Sequence, residues 1–198
     1  MKSAPAKKNG LRARKRRETR QRIAETGLKL FVRKGYDATT LEAIAAAAGI
    51  SARTFFYYFK TKDEVLQFWQ GSGFVEALGP AMREASTRQA PPDAVRRCLL
   101  KLVSRYETKN SIVVDRILQS TEALRTRKQA IFIEMEETLF AALCELWPQP
   151  KQRPSLRMTA MISMGAMRLA MEAWRRDNGT RSLAKYLRDS FAVLQSQL

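Results

Sequence analysis

Residues 39–62 read TTLEAIAAAAGISARTFFYYFKTK, and this stretch decides the fold. Thr39 and Glu42 have the T-x-x-E spacing of a capping box, which predicts a helix beginning after Thr39. Leu41, Ile44, Ala45 and Ala48 recur at helical spacing and give that helix one buried face. Gly49 stops it, because only a residue without a Cβ takes a left-handed position cheaply. Ile50 plugs the corner, and Ser51 caps the next helix, Ala52 to Phe59. Thr61 and Glu64 repeat the capping-box spacing and open a further helix. Helix, glycine turn, helix is the sequence form of a helix-turn-helix, whose second helix enters the major groove of DNA.

The faces of the second helix agree. Phe55 and Phe59 are four apart and suit a small core. Arg53 and Tyr57 lie four apart on another side, with Thr54 and Tyr58 beside them. These supply a guanidinium, a hydroxyl and two phenols, groups that reach base edges and phosphates.

The segment from about Arg20 to Trp69 resembles the DNA-binding domain of the TetR family of bacterial transcriptional regulators. The features that carry the likeness are Phe31 and Gly35-Tyr36 closing helix 1, Thr39-Thr40, and Ala48-Gly49-Ile50-Ser51. The run Tyr57-Tyr58-Phe59-Lys60-Thr61-Lys62 is the most specific of them. The resemblance implies an all-α homodimer with a small-molecule pocket in its C-terminal domain. At Phe56 many relatives carry tyrosine or another polar group, so a phosphate contact from that position does not carry over. Candidate DNA-contacting residues are Arg14, Arg17, Thr39, Thr40, Ser51, Ala52, Arg53, Thr54, Tyr57, Tyr58 and Lys62.

Charge supports this division of labour. The 198 residues carry a net charge of +17. Residues 1–62 hold 16 Lys/Arg against 4 Asp/Glu, and residues 63–198 hold 20 against 15. A basic first third and a nearly balanced remainder point to a polyanion-binding module attached to something else. No basic helix has the broad bulky apolar face needed to lie on a membrane surface. No uncharged apolar run approaches the ~18 residues of a membrane span, and no signal peptide is visible, so the expected location is the cytoplasm. The two cysteines, Cys98 and Cys144, lie in apolar helical contexts and read as core residues. With no histidine in the chain, imidazole catalysis and Cys/His metal sites are excluded, and no cofactor is expected. There is no catalytic Ser or Cys constellation. Gly71, Gly73 and Gly79 do not fit a nucleotide motif, so an enzyme is not expected.

In chain order, residues 1–10 read as a disordered basic arm, 11–61 as the helix-turn-helix domain, and 62–198 as a ligand-binding and dimerisation domain. About nine helices are expected in all. Arg12, Arg14, Lys15, Arg16 and Arg17 run into helix 1, whose buried face is Ile23, Leu30 and Phe31. Gly27 allows another helix to approach closely. Arg14 and Arg17 are read as a phosphate or minor-groove arm. Helix 4 begins at Lys62, and Gly71-Ser72-Gly73 and Gly79-Pro80 should interrupt or bend it. Asp93 is expected to cap a helix carrying Val95, Leu99, Leu102, Val103 and Tyr106. A shorter apolar segment runs from Ile112 to Leu118. A long helix from about Thr126 to Trp147 follows, then one from about Pro154 to Asp177 and a last from about Thr180 to Gln195.

Five of the eight methionines lie in the penultimate helix: Met158, Met161, Met164, Met167 and Met171. It is apolar nearly all round and must be buried on more than one side. That points to a dimer through the last two helices, where Leu187 and Phe191 are the residues expected at the interface. Methionine is also the adaptable wall of hydrophobic pockets. Residues 165–187, GAMRLAMEAWRRDNGTRSLAKYL, resemble a subgroup of TetR regulators with an acyl-CoA-like ligand domain. Candidate ligand-binding residues are Leu99, Val103, Tyr106, Ile117, Phe132, Met135, Leu139, Met161, Met164 and Trp174. The expected function is a ligand-responsive repressor, released from double-stranded operator DNA by a small hydrophobic or acyl-CoA-like effector. The alternative is a basic architectural DNA-binding protein without a ligand switch.

Overall fold

Side-chain caps set the corners of the first unit. The computed structural model describes residues 5–69 and 73–196, with side chains from residue 12 onward. Regular structure among these residues is helical throughout, as ten α-helices and one 3-10 turn. The chain divides into two units, residues 1–70 and 71–198, later than the boundary expected at 61/62.

The first unit holds α1 (Pro5–Lys34), α2 (Leu41–Ala47), α3 (Ala52–Tyr58) and α4 (Lys62–Gln67). The backbone of residues 5–10 is already helical, where a disordered arm was expected; residues 1–4 lie outside the described residues. The cap of α2 is Thr40, whose Oγ1 accepts from Ala43 N at 3.1 Å. It is not Thr39, which is buried and donates its hydroxyl to Gly35 O at 2.7 Å. At the other end Gly49 has φ 66, Gly49 N donates to Ala46 O and Ile50 N to Ala45 O. This paired closure satisfies two orphan carbonyls and turns the chain into α3. Ser51 Oγ accepts from Thr54 N at 3.1 Å and caps α3 as expected. Thr61 does the same for α4, accepting from Glu64 N at 3.2 Å. Ile23, Ile44, Phe55, Phe59 and Val65 are fully buried and form the core. A Cβ on Gly27 would stand 2.5 Å from Val65 Cγ1, so this glycine does permit α4 to approach α1.

The second unit holds α5 (Phe74–Arg83), α6 (Pro91–Tyr106), α7 (Ser111–Leu118), α8 (Glu122–Leu146), α9 (Arg153–Arg176) and α10 (Leu183–Ser196). Pro80 lies inside α5. The cap position of α6 is Ala90, with Pro91 and Pro92 opening the helix; Asp93 lies in its first turn and does not cap it. Proline suits that place because the first helical N–H groups have no partner within the helix. Thr121 caps α8, which starts earlier than expected. α9 packs on α6, α8 and α10, and α5 packs on α6 and α8. The core between them includes Leu99, Leu139, Leu143, Leu156, Met164 and Leu187. Asn178 (φ 55) and Gly179 (φ 69) end α9, with Gly179 N donating to Trp174 O at 2.9 Å. The Glu107 carboxylate then accepts from Leu183 N at 3.0 Å and holds the start of α10. No helix among the described residues is long and apolar enough to cross a membrane.

Candidate functional site

The outward face of α3 is the first site. One turn apart, Phe55 and Phe59 anchor the helix, with ring centroids 6.0 Å apart and no exposure to solvent. That anchoring turns Ala52, Arg53, Phe56, Tyr57 and Lys60 outward and leaves Thr54 and Tyr58 half-buried. Tyr57 is 62% exposed, and its ring meets the Tyr58 ring edge-on at 5.1 Å. The Ser51 and Thr54 hydroxyls lie 2.9 Å apart, so each partly satisfies the other. Six of the expected contacts (Ser51, Ala52, Arg53, Thr54, Tyr57 and Tyr58) are thus brought to one short helix and its cap. Thr40 is exposed at the start of α2.

The remaining expected contacts lie off α3. Thr39 is only 1% exposed, so its side chain is not presented to a groove. Lys62 turns its ammonium inward, donating to Tyr36 O at 2.9 Å and Asp37 O at 3.3 Å. Arg14 and Arg17 stand on α1 and are exposed, and Arg14 pairs with Glu18 at 3.3 Å.

Two basic residues escaped the sequence reading as partners of the site. The Arg16 guanidinium lies 5.2 Å from the Tyr57 ring centroid, joining α1 to the outer face of α3. Arg20, one helical turn on, lies over Phe59 and Phe68. Their four-residue spacing marks a shared face of α1, but only the fold brings α3 to that face. Lys60 Nζ donates to Phe56 O at 2.9 Å and tethers the end of α3.

In the second unit, Leu99, Val103, Phe132, Met135, Leu139, Met164 and Trp174 are buried together in the core. Tyr106 packs edge-on to Phe74 at the margin, and Ile117 is buried on α7. Met161 is 48% exposed on the outer side of α9, so it is not a wall of the interior. A cleft of about 150 Å3 is lined by Arg125, Lys128, Phe132, Arg168, Met171 and Arg175, and Phe132 alone of these was expected in a ligand site. Behind it, buried Asp115 accepts from Lys128 Nζ and, at 3.0 Å, from Arg175. Burial pulls the Lys128 ammonium below the usual lysine pKa, and Asp115 opposes that shift.

A capped, glycine-turned helix pair presenting a basic and phenolic face defines a helix-turn-helix domain, here joined to an all-α second unit. Residues 23–67 match the family model for bacterial regulatory proteins of the tetR family. The first unit thus carries a helix-turn-helix domain of the tetR family of bacterial regulatory proteins. It is similar to the HTH-type transcriptional regulator TcmR of Streptomyces glaucescens, 48% identical over 56 residues, covering 28% of this chain and 25% of TcmR. Among curated relatives the match spans between 17% and 38% of their length. The fold is also similar to a TerR/AcrR-family regulator from Aquifex aeolicus VF5, with TM-score 0.62 and 20% identity over 91% of this chain and 99% of that one. FadR from Bacillus subtilis, in complex with stearoyl-CoA, superposes with TM-score 0.59 and 17% identity over 90% of this chain and 98% of FadR.

Proposed function

We propose that this protein is a homodimeric, ligand-responsive repressor that binds operator DNA through α3. The observation that carries the reading is the outward face of α3. Arg53 and Tyr57 stand exposed on a helix held rigidly by its Ser51 cap and by Phe55 and Phe59 beneath it. Arg53 would read a base edge in the major groove, where a guanidinium pairs with guanine. Tyr57, with Arg16 against its ring, would position the domain on phosphates.

Dimerisation would use α9 and α10. Met158, Met161 and Leu169 are exposed large apolar residues along α9, and Val193 is another on α10. Gly165 lies within the α9 stripe with open space above it, which would let a second helix come close. Leu187 and Phe191 are buried within the chain itself and so belong to its own core.

The second unit would hold the effector, an acyl-CoA-like or other small molecule with apolar character. Support comes from the folds of similar proteins, including the stearoyl-CoA complex above. Release of DNA requires only that the effector binds the DNA-free conformation better than the DNA-bound one.

The test is binding to the chain's own upstream DNA with an excess of mixed-sequence competitor. A repressor retains its own site and loses it on adding effector. An architectural protein, the alternative reading, shows little preference between the two DNAs.

A further inference from the structure

The cleft in the second unit has a charge pattern that the roles above do not require. It opens between the end of α7, the first half of α8 and the second half of α9. Arg125, Lys128, Arg168 and Arg175 line it, and no carboxylate does. Lys128 and Arg175 share the single Asp115 carboxylate behind the wall. The partners of the other two are neutral: Arg125 donates to the Gln119 carbonyl at 2.9 Å, and the Arg168 guanidinium lies 5.0 Å from the Phe132 ring centroid. Four cations therefore meet one anion, leaving an excess of positive charge around a recess with an apolar floor.

Fixed cations crowded in a recess repel one another, and an incoming anion relieves that repulsion. Asp115 holds Lys128 and Arg175 in place, so the site does not have to order them on binding. Guanidinium forks match the two oxygens of a carboxylate or the oxygens of a phosphate. Phe132 and Met171 offer apolar surface beside the charges. A cavity of roughly 150 Å3 accommodates a benzene-sized molecule. We propose that this cleft binds a small organic anion, its carboxylate or phosphate among the four cations and its apolar part on Phe132 and Met171. This deepens the effector reading by naming the chemistry of the ligand, and it rests on that reading only for the consequence at DNA.

The experiment is calorimetric titration of the full-length protein at constant ionic strength with phenyl phosphate, benzoate, benzyl alcohol and inorganic phosphate. At least one aromatic anion should bind tenfold or more tightly than benzyl alcohol and than inorganic phosphate. Comparison of phenyl phosphate with benzoate shows which anionic group the site takes. Arg125→Gln with Arg168→Gln should weaken that binding at least tenfold without lowering the melting temperature, since both side chains are exposed and meet neutral partners. Should the double variant fold poorly, Arg168→Gln alone should still weaken binding severalfold. Binding of benzyl alcohol or inorganic phosphate as tight as that of the aromatic anions overturns the proposal. Unchanged affinity in a folded variant overturns it too. Operator affinity, read separately, tests the regulatory reading: anion binding without release of DNA leaves the cleft standing and removes the switch.

Discussion

Lys62 Nζ donates to the Tyr36 carbonyl at 2.9 Å and also lies 4.4 Å from the centroid of the Tyr36 ring. The lysine that opens α4 thus closes the corner between α1 and α2, while Tyr36 OH bonds to Asp63 next door. Charge-assisted hydrogen bonds of this kind contribute roughly 1.5–3 kcal/mol. Lys62→Ala should lower the melting temperature and weaken binding to operator and random DNA alike. Its salt dependence of binding should be close to wild type, because the ammonium is spent on carbonyls. A flatter salt dependence with an unchanged melting temperature would instead make Lys62 a phosphate contact.

Arg53 is the base-reading candidate. Arg53→Ala should relax sequence preference at one symmetric pair of operator positions, costing roughly 1–3 kcal/mol per half-site. Selection of binding sites from a randomised operator by wild type and variant makes the comparison. Equal loss for operator and random DNA would sink the assignment.

At the proposed interface, the outer face of α9, dimerisation can be separated from folding. Met161→Glu with Leu169→Glu places two charges on exposed positions and should yield folded monomers by sedimentation. Leu187→Glu with Phe191→Glu buries two charges in the core and should unfold the second unit, because an unpaired buried charge is costly. Circular dichroism distinguishes the two outcomes. A folded dimer for the Met161/Leu169 variant would move the interface elsewhere.

Cys98 gives a pH signature. Burial pushes its thiol up to about 11 from the ordinary 9.0, with Lys101 opposing and Glu84 adding to the rise. At pH 8 only about one Cys98 in a thousand is then a thiolate, so it should resist alkylation until the protein is unfolded. The folded form holds this proton more tightly than the unfolded one. Its contribution to stability is therefore full below pH 9 and is lost as pH rises towards 11. Urea midpoints at pH 8 and 10.5 should fall further for wild type than for Cys98→Ala. Rapid labelling of native Cys98 at pH 8 would refute this.

Much of the first unit was legible because its instructions are local. Gly49, Ser51 and Thr61 act on backbone groups within a few residues, so their spacing alone announces turn and caps. The pairing of Phe55 with Phe59 follows from the helical period, and it dictates that Arg53 and Tyr57 face out. The choice between Thr39 and Thr40 as cap was not legible. Both hydroxyls stand near the helix start, and the decision fell to Gly35 O, which takes the Thr39 hydroxyl.

What only the tertiary structure decided depends on partners distant in the chain. Lys62 reaches carbonyls 26 and 25 positions away, and its identity as a cation says nothing of where its charge is spent. Met161 and Met164 look alike in sequence, yet one is exposed and the other fully buried. Between Met158 and Met171 the only charge is Arg168, so periodicity leaves the rotation of this stretch open and the neighbours α6, α8 and α10 set it. The basic cleft is the furthest from local rules: Arg125 and Lys128 come from α8, Arg168 and Arg175 from α9, and Asp115 from α7. The sequence by itself determined the helical class, the caps of α3 and α4, and the outward side of α3. Which cations converge was decided by packing, because attraction and repulsion act through space and the chain order does not encode that distance.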